Sequence, residues 1–138
     1  MRLIMQNTDK TFSITRICSD EEGVSYFEDV LIPLEDKGAL GFMSALHGAQ
    51  GVIFREVGAE YASGWHTPSS PLYLIVMDGE IEIETGRHQI RVFGPGAVIL
   101  ATDLIGRGHS TRAVAGRPVR SLVVPDVKPP QVNVTRTS

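Results

Sequence analysis

Leu72-Tyr73-Leu74-Ile75-Val76-Met77-Asp78-Gly79-Glu80-Ile81-Glu82-Ile83-Glu84 is the stretch on which the fold turns. Its first six residues are a continuous apolar run of strand length. Asp78-Gly79 follows, a dipeptide suited to the backbone of a tight hairpin turn. From Glu80 onward isoleucine and glutamate alternate, so one face is apolar and the other acidic, as in a half-buried strand. The pattern continues in both directions. Upstream, Val52-Ile53-Phe54-Arg55-Glu56-Val57 is rich in strand formers. Downstream, His88-Gln89-Ile90-Arg91-Val92-Phe93 is stopped by Gly94-Pro95-Gly96, and the run from Ala97 to Leu100 is short and apolar. Thr111 to Ala115 and Val119 to Val124 complete the series around Gly116-Arg117-Pro118. Turn signals recur roughly every 7–12 residues, the spacing of an all-β sandwich or barrel.

The chain has 138 residues, 14 of them Gly and 8 Pro, too much punctuation for a few long helices. Its length predicts one domain. Within it, residues 1–50 are expected to supply N-terminal strands and an irregular segment packing on the barrel, 51–125 the barrel core, and 126–138 a polar tail. Thr11 to Ile17 and Tyr26 to Leu34 read as strands. Asp36 to Gln50 reads as a loop or a short helix around Phe42 to Leu46. The tail, broken by Pro129-Pro130, reads as an arm or as disordered. No apolar run approaches the ~18 residues of a membrane span. Met1-Arg2-Leu3-Ile4-Met5-Gln6-Asn7 is too short for a secretory core, and Asn133-Val134-Thr135 is then a chance glycosylation match. Cys18 is the single cysteine, which excludes an internal disulfide and fits a reducing, cytoplasmic setting. The net charge is −3. Seven arginines follow Thr85: Arg87, Arg91, Arg107, Arg112, Arg117, Arg120 and Arg136. They read first as solvated strand faces and second as a surface for an anionic ligand. With an acidic total and no basic cluster among aromatics, neither nucleic acid nor membrane is an expected partner.

Gly58 through His66, Asp78-Gly79, Gly94-Pro95-Gly96 and Gly108-His109 together resemble the two motifs of the cupin superfamily. The first is a Gly, then His-x-His, Glu and Gly; the second is Pro-x-Gly with a His downstream. The resemblance covers roughly residues 50–125. Gly64-Trp65-His66 and Asp103-Leu104-Ile105-Gly106-Arg107-Gly108-His109 bring it nearest to small single-domain cupins. It implies an antiparallel double-stranded β-helix, or jelly-roll barrel, with a ligand pocket in one mouth and a homodimer as the assembly.

The chain departs from that pattern where a metal would bind. His66-Thr67-Pro68 stands where the family has His-x-His, and Leu72 stands near the motif Glu. Proline and leucine have no donor lone pair, whereas a catalytic zinc or non-haem iron needs three protein ligands. No cofactor is therefore expected, and a metal, if present, would use His66 and His109. Two imidazoles facing one apolar lumen suit general acid–base chemistry, because imidazole titrates near neutrality. The expected function is a metal-independent lyase, isomerase or cyclase acting on an oxygenated metabolite, polyketide-like by family resemblance, with His66 and His109 catalytic.

Further residues are expected to bind substrate. Arg55 would hold a carboxylate or an enolate if it points inward. Tyr61 and Trp65 would form the pocket rim, and Leu74 and Thr111 its wall. Asp103 would orient His109 by accepting its ring N–H. Each has a plainer alternative: an exposed strand residue for Arg55, packing for the aromatics, an Asx turn for Asp103. The histidines themselves could be remnants satisfied by backbone carbonyls. His47 and His88 have no sequence reason to enter the pocket, Tyr73 is expected to pack in the other layer, and Glu82 and Glu84 to face solvent. Two further functions stay open: a non-catalytic module binding a small ligand, and a metal-dependent oxygenase or epimerase with an unusual ligand set.

Overall fold

The computed structural model describes residues 10–128 and the backbone of 135–137. The alternating segments form strands β1 (Thr11–Ser19), β2 (Ser25–Pro33), β3 (Glu35–Asp36), β4 (Phe42–Met43), β5 (Ile53–Val57), β6 (Ala62–His66), β7 (Leu72–Asp78), β8 (Ile81–Glu84), β9 (Ile90–Phe93), β10 (Val98–Ala101), β11 (His109–Ala113), β12 (Val119–Pro125) and β13 (Thr135–Thr137). One sheet has the order β13-β2-β1-β10-β7-β12-β5, and the other the order β6-β11-β8-β9. Strands β5 to β12 thus wrap as β10-β7-β12-β5 opposite β6-β11-β8-β9. Four antiparallel strands lie on each side, and this strand order is a jelly roll.

The core lies between the sheets. Val76, Ile99, Ala101 and Val119 from the larger sheet meet Ile81, Ile83, Phe93 and Ala113 from the smaller. The two isoleucines of the alternating segment are 3% and 1% exposed, so alternation correctly marks the buried face. Glu82 turns outward to Arg112 and Glu84 to His88. At the Asp78-Gly79 turn, Gly79 has φ +81, and a Cβ there would sit 2.3 Å from the Pro118 carbonyl oxygen. Only glycine lets the hairpin pass so close to the chain entering β12.

The jelly roll of β5 to β12 is antiparallel, and β1 adds to it by joining β10 in parallel register, Thr15 against Ile99 and Ile17 against Ala101. Pairing with β1 covers the edge that β10 would otherwise expose. Residues before 51 therefore extend the main sheet, and Ile17 and Phe27 enter its core. Two expectations need correction. The segment from Asp36 holds no helix at Phe42 to Leu46. A short 3-10 turn over Gly38–Leu40 links β3 to β4, a two-stranded hairpin. Lastly, Val127 is 3% exposed and β13 pairs with β2, so these parts of the tail belong to the fold. Pro129-Pro130, the opening Met1 to Asn7 and Asn133-Val134 lie outside the described residues. No helix among the described residues is long and apolar enough to cross a membrane.

Candidate functional site

Strands β6 and β11 are neighbours in the smaller sheet, and their register sets His66 directly opposite His109. Residues directly opposite in an antiparallel pair point to the same face. The two rings accordingly meet with centroids 4.7 Å apart and planes at 57°. The approach depends on the residue before His109. Gly108 has φ +76, and a Cβ there would lie 1.8 Å from the His66 carbonyl oxygen.

Each ring has one nitrogen already engaged. His66 Nδ1 lies 3.1 Å from the Gly64 carbonyl oxygen, which can only accept, so Nδ1 carries a proton and, in the neutral ring, Nε2 has the lone pair. His109 Nδ1 lies 2.7 Å from Asp103 Oδ2 and donates to it. Asp103 is fully buried and His109 nearly so, whereas His66 is exposed. The loop carrying Asp103 is tied down by its neighbour: the Thr102 N–H and hydroxyl both donate to the Ile17 carbonyl, at 2.8 and 2.7 Å. The other carboxylate oxygen, Asp103 Oδ1, is buried without a hydrogen-bond partner among the described residues. The arrangement makes His109 a ring of fixed orientation with a negative charge behind it.

Both rings line one cavity of about 410 Å³, within the usual range for small-molecule sites. Arg55, Tyr61, Leu74 and Thr111 also line it, so these sequence-predicted residues come together with the histidines. Thr111 does so because it lies two residues after His109 on the same strand face. Two candidates do not line the cavity. Trp65 precedes His66 and therefore faces the other side of β6, where the Arg107 guanidinium stacks 4.5 Å from its ring. Asp103 sits behind His109 and touches the ring rather than the cavity, so it is a positioning residue and not a substrate contact.

Sequence reasoning missed Ile17 as a wall residue, since it reaches the cavity only through the parallel β1–β10 pairing. Thr67 and Ser69 also line the wall. Reading along the loop after His66 could have marked them as hydroxyl donors as well as failed ligands. The remaining histidines lie elsewhere. His47 Nδ1 meets the Tyr73 hydroxyl at 2.7 Å on the outer face of the large sheet. Burial pushes the His47 imidazole down and the Tyr73 phenol up.

The donor set does not fit a metal centre. Among the described residues no three His, Cys, Asp or Glu side chains come together as a ligand group. The cavity offers two imidazole nitrogens, and Pro68 and Leu72 occupy the wall where further ligands would stand. A zinc or non-haem iron site requires a third protein ligand.

Neither protein-family models nor curated proteins match the chain. Among solved structures it is similar to the Cupin_2 domain of an XRE family transcriptional regulator from Enterobacter cloacae, with 17% identity over 88% of this chain and 98% of that one, and a TM-score of 0.38. The jelly roll rests on the strand order of this chain itself.

Proposed function

We propose that the chain is a metal-independent enzyme that moves protons on an oxygenated, partly apolar small molecule. The reaction class is dehydration, isomerisation or cyclisation. One observation carries the reading: two imidazoles share a cavity while a separate acceptor engages each Nδ1. In a dehydration, the lone pair on His66 Nε2 takes the proton from the carbon next to a carbonyl. The hydroxyl on the following carbon leaves with a proton from His109 Nε2, forming water and a carbon–carbon double bond. His109 must begin as an imidazolium for this step, and the Asp103 carboxylate balances that charge. Proton exchange between the adjacent rings, directly or through water, restores the starting state. Isomerisation uses the same base and returns the proton to a different carbon. Cyclisation uses it to form a nucleophilic enolate.

The test is incubation in D₂O with a set of β-hydroxy ketones and β-hydroxy acids, followed by proton NMR. Deuterium is expected at the carbon next to the carbonyl, with loss of water from substrates that dehydrate. His66→Ala and His109→Ala should each lower turnover by about 10²-fold or more. Turnover that survives both changes overturns the reading. So does stoichiometric zinc, iron, nickel or manganese in the purified protein, if its removal abolishes turnover. Binding without any turnover makes the chain a ligand-binding module instead.

A further inference from the structure

The charge on the cavity wall is one-sided. Among the described wall residues, Arg55 is the single permanent cation, and none is a carboxylate. Among the described residues the other arginines are engaged elsewhere. Arg16, Arg87, Arg91, Arg112, Arg117 and Arg120 each pair with a carboxylate. Arg107 stacks on Trp65, outside the cavity. Among the described residues, no carboxylate lies within ion-pair distance of Arg55. Its neighbour Glu56 turns to the other side of β5 and pairs with Arg120.

Arg55 is nonetheless held in place. Its guanidinium carbon lies 5.1 Å from the centre of the Tyr61 ring, and both residues line the cavity. A cation packed against an aromatic face keeps the N–H groups along its edge free to donate. Such a fork matches a planar carboxylate, which takes two parallel hydrogen bonds from it. The rest of the wall is largely apolar, with Ile17, Leu74 and Ile99 among its residues.

We infer that the cavity takes a monocarboxylate, with the carboxylate seated on Arg55 and an apolar body against Leu74 and Ile99, the reacting carbon lying toward His66 and His109. This deepens the proton-transfer reading and rests on it in taking this cavity as the substrate site. Arg55 then acts as the anchor that sets which carbon the imidazoles reach. A carboxylate ligand also completes the electrostatics of the wall, supplying the negative charge that the protein withholds.

The test measures binding alone, so that its failure and the failure of the catalytic reading are distinguishable. The full chain is titrated with trans-cinnamate, cinnamamide and phenylphosphonate, following the His66 and His109 imidazole signals by NMR. Cinnamate should bind at least about tenfold more tightly than the neutral amide and than the phosphonate. Arg55→Gln should bring cinnamate down to the amide's affinity without lowering the unfolding temperature. Arg55→Lys should retain part of the preference, since it keeps the charge and loses the fork. His66→Ala should keep the preference. Equal binding of cinnamate and its amide, no binding of cinnamate, stronger binding of the phosphonate, or a preference unchanged in Arg55→Gln each overturns the anchor. A preference that depends on Arg55 in a protein that turns nothing over upholds the anchor and removes the acid–base reading.

Discussion

Replacing His109 by alanine removes the ring but leaves Asp103 in place. The carboxylate is 0% exposed, its Oδ2 loses the donor at 2.7 Å, and its Oδ1 has no partner to begin with. Breaking a buried pair from one side typically costs about 3–5 kcal/mol, because the remaining charge stays desolvated and unpaired. Asp103→Asn is gentler. The amide has nearly the same shape and its oxygen can still accept from Nδ1, so what goes is the charge assistance, about 1–2 kcal/mol. In the double variant Asp103→Asn/His109→Ala no charge is stranded. Its destabilisation should therefore fall short of the two single effects combined by about 2 kcal/mol. Urea unfolding followed by fluorescence of Trp65, the chain's single tryptophan, reports all four proteins. The His109→Ala midpoint should drop by about 2 M urea, given the usual slope for a small domain. Strict additivity, or a His109→Ala cost below about 1 kcal/mol, would refute the claim that this buried carboxylate depends on the ring.

Three further predictions concern the frame around the site. Gly108→Ala should cost at least about 2 kcal/mol, since its Cβ meets the His66 carbonyl at 1.8 Å on a left-handed backbone; it should also split the two imidazole NMR environments from their wild-type positions. Ile17→Ala should lower stability by about 2–4 kcal/mol in urea melts, because the side chain is 0% exposed, and cavity ligands should bind more weakly as the wall recedes. The His47 imidazole is depressed by burial, so the folded state resists a proton that the unfolded chain accepts. Stability from this source is complete above the unfolded imidazole range and falls as pH drops through it. The urea midpoint of wild type should accordingly fall more steeply from about pH 7.5 to about pH 5 than that of His47→Gln, and parallel curves would contradict the assignment.

Much of the barrel was legible because its strands carry a strict local signal. Ile81 and Ile83 alternate with glutamates, and the turn glycines punctuate the runs. β6 was the hardest strand to read: Ala62-Ser63-Gly64-Trp65-His66 has small or polar residues on both faces and no clear alternation. Its assignment as a strand came from pairing with β11. The region from Asp36 to Gln50 was equally opaque, being rich in Gly and Ala with no period. Within the site, His66, His109, Arg55, Tyr61, Leu74 and Thr111 were all named from the sequence and line one cavity. Trp65, read as pocket rim or as packing, stands on the face of β6 away from the cavity. One residue of offset inverts the face, and an irregular strand gives no apolar pattern to fix that offset.

The sequence by itself determined the class of fold and the residue types available for chemistry: short strands, glycine corners, two motif histidines and no third metal ligand beside them. Those are properties of neighbouring residues, and local pattern carries them. Tertiary structure alone decided the rest. It set His66 opposite His109, joined β1 to β10 in parallel, and left Arg55 without a carboxylate among the described residues. The first two bring residues together by strand register across the barrel, and register is fixed by the packing of two whole sheets rather than by any one segment.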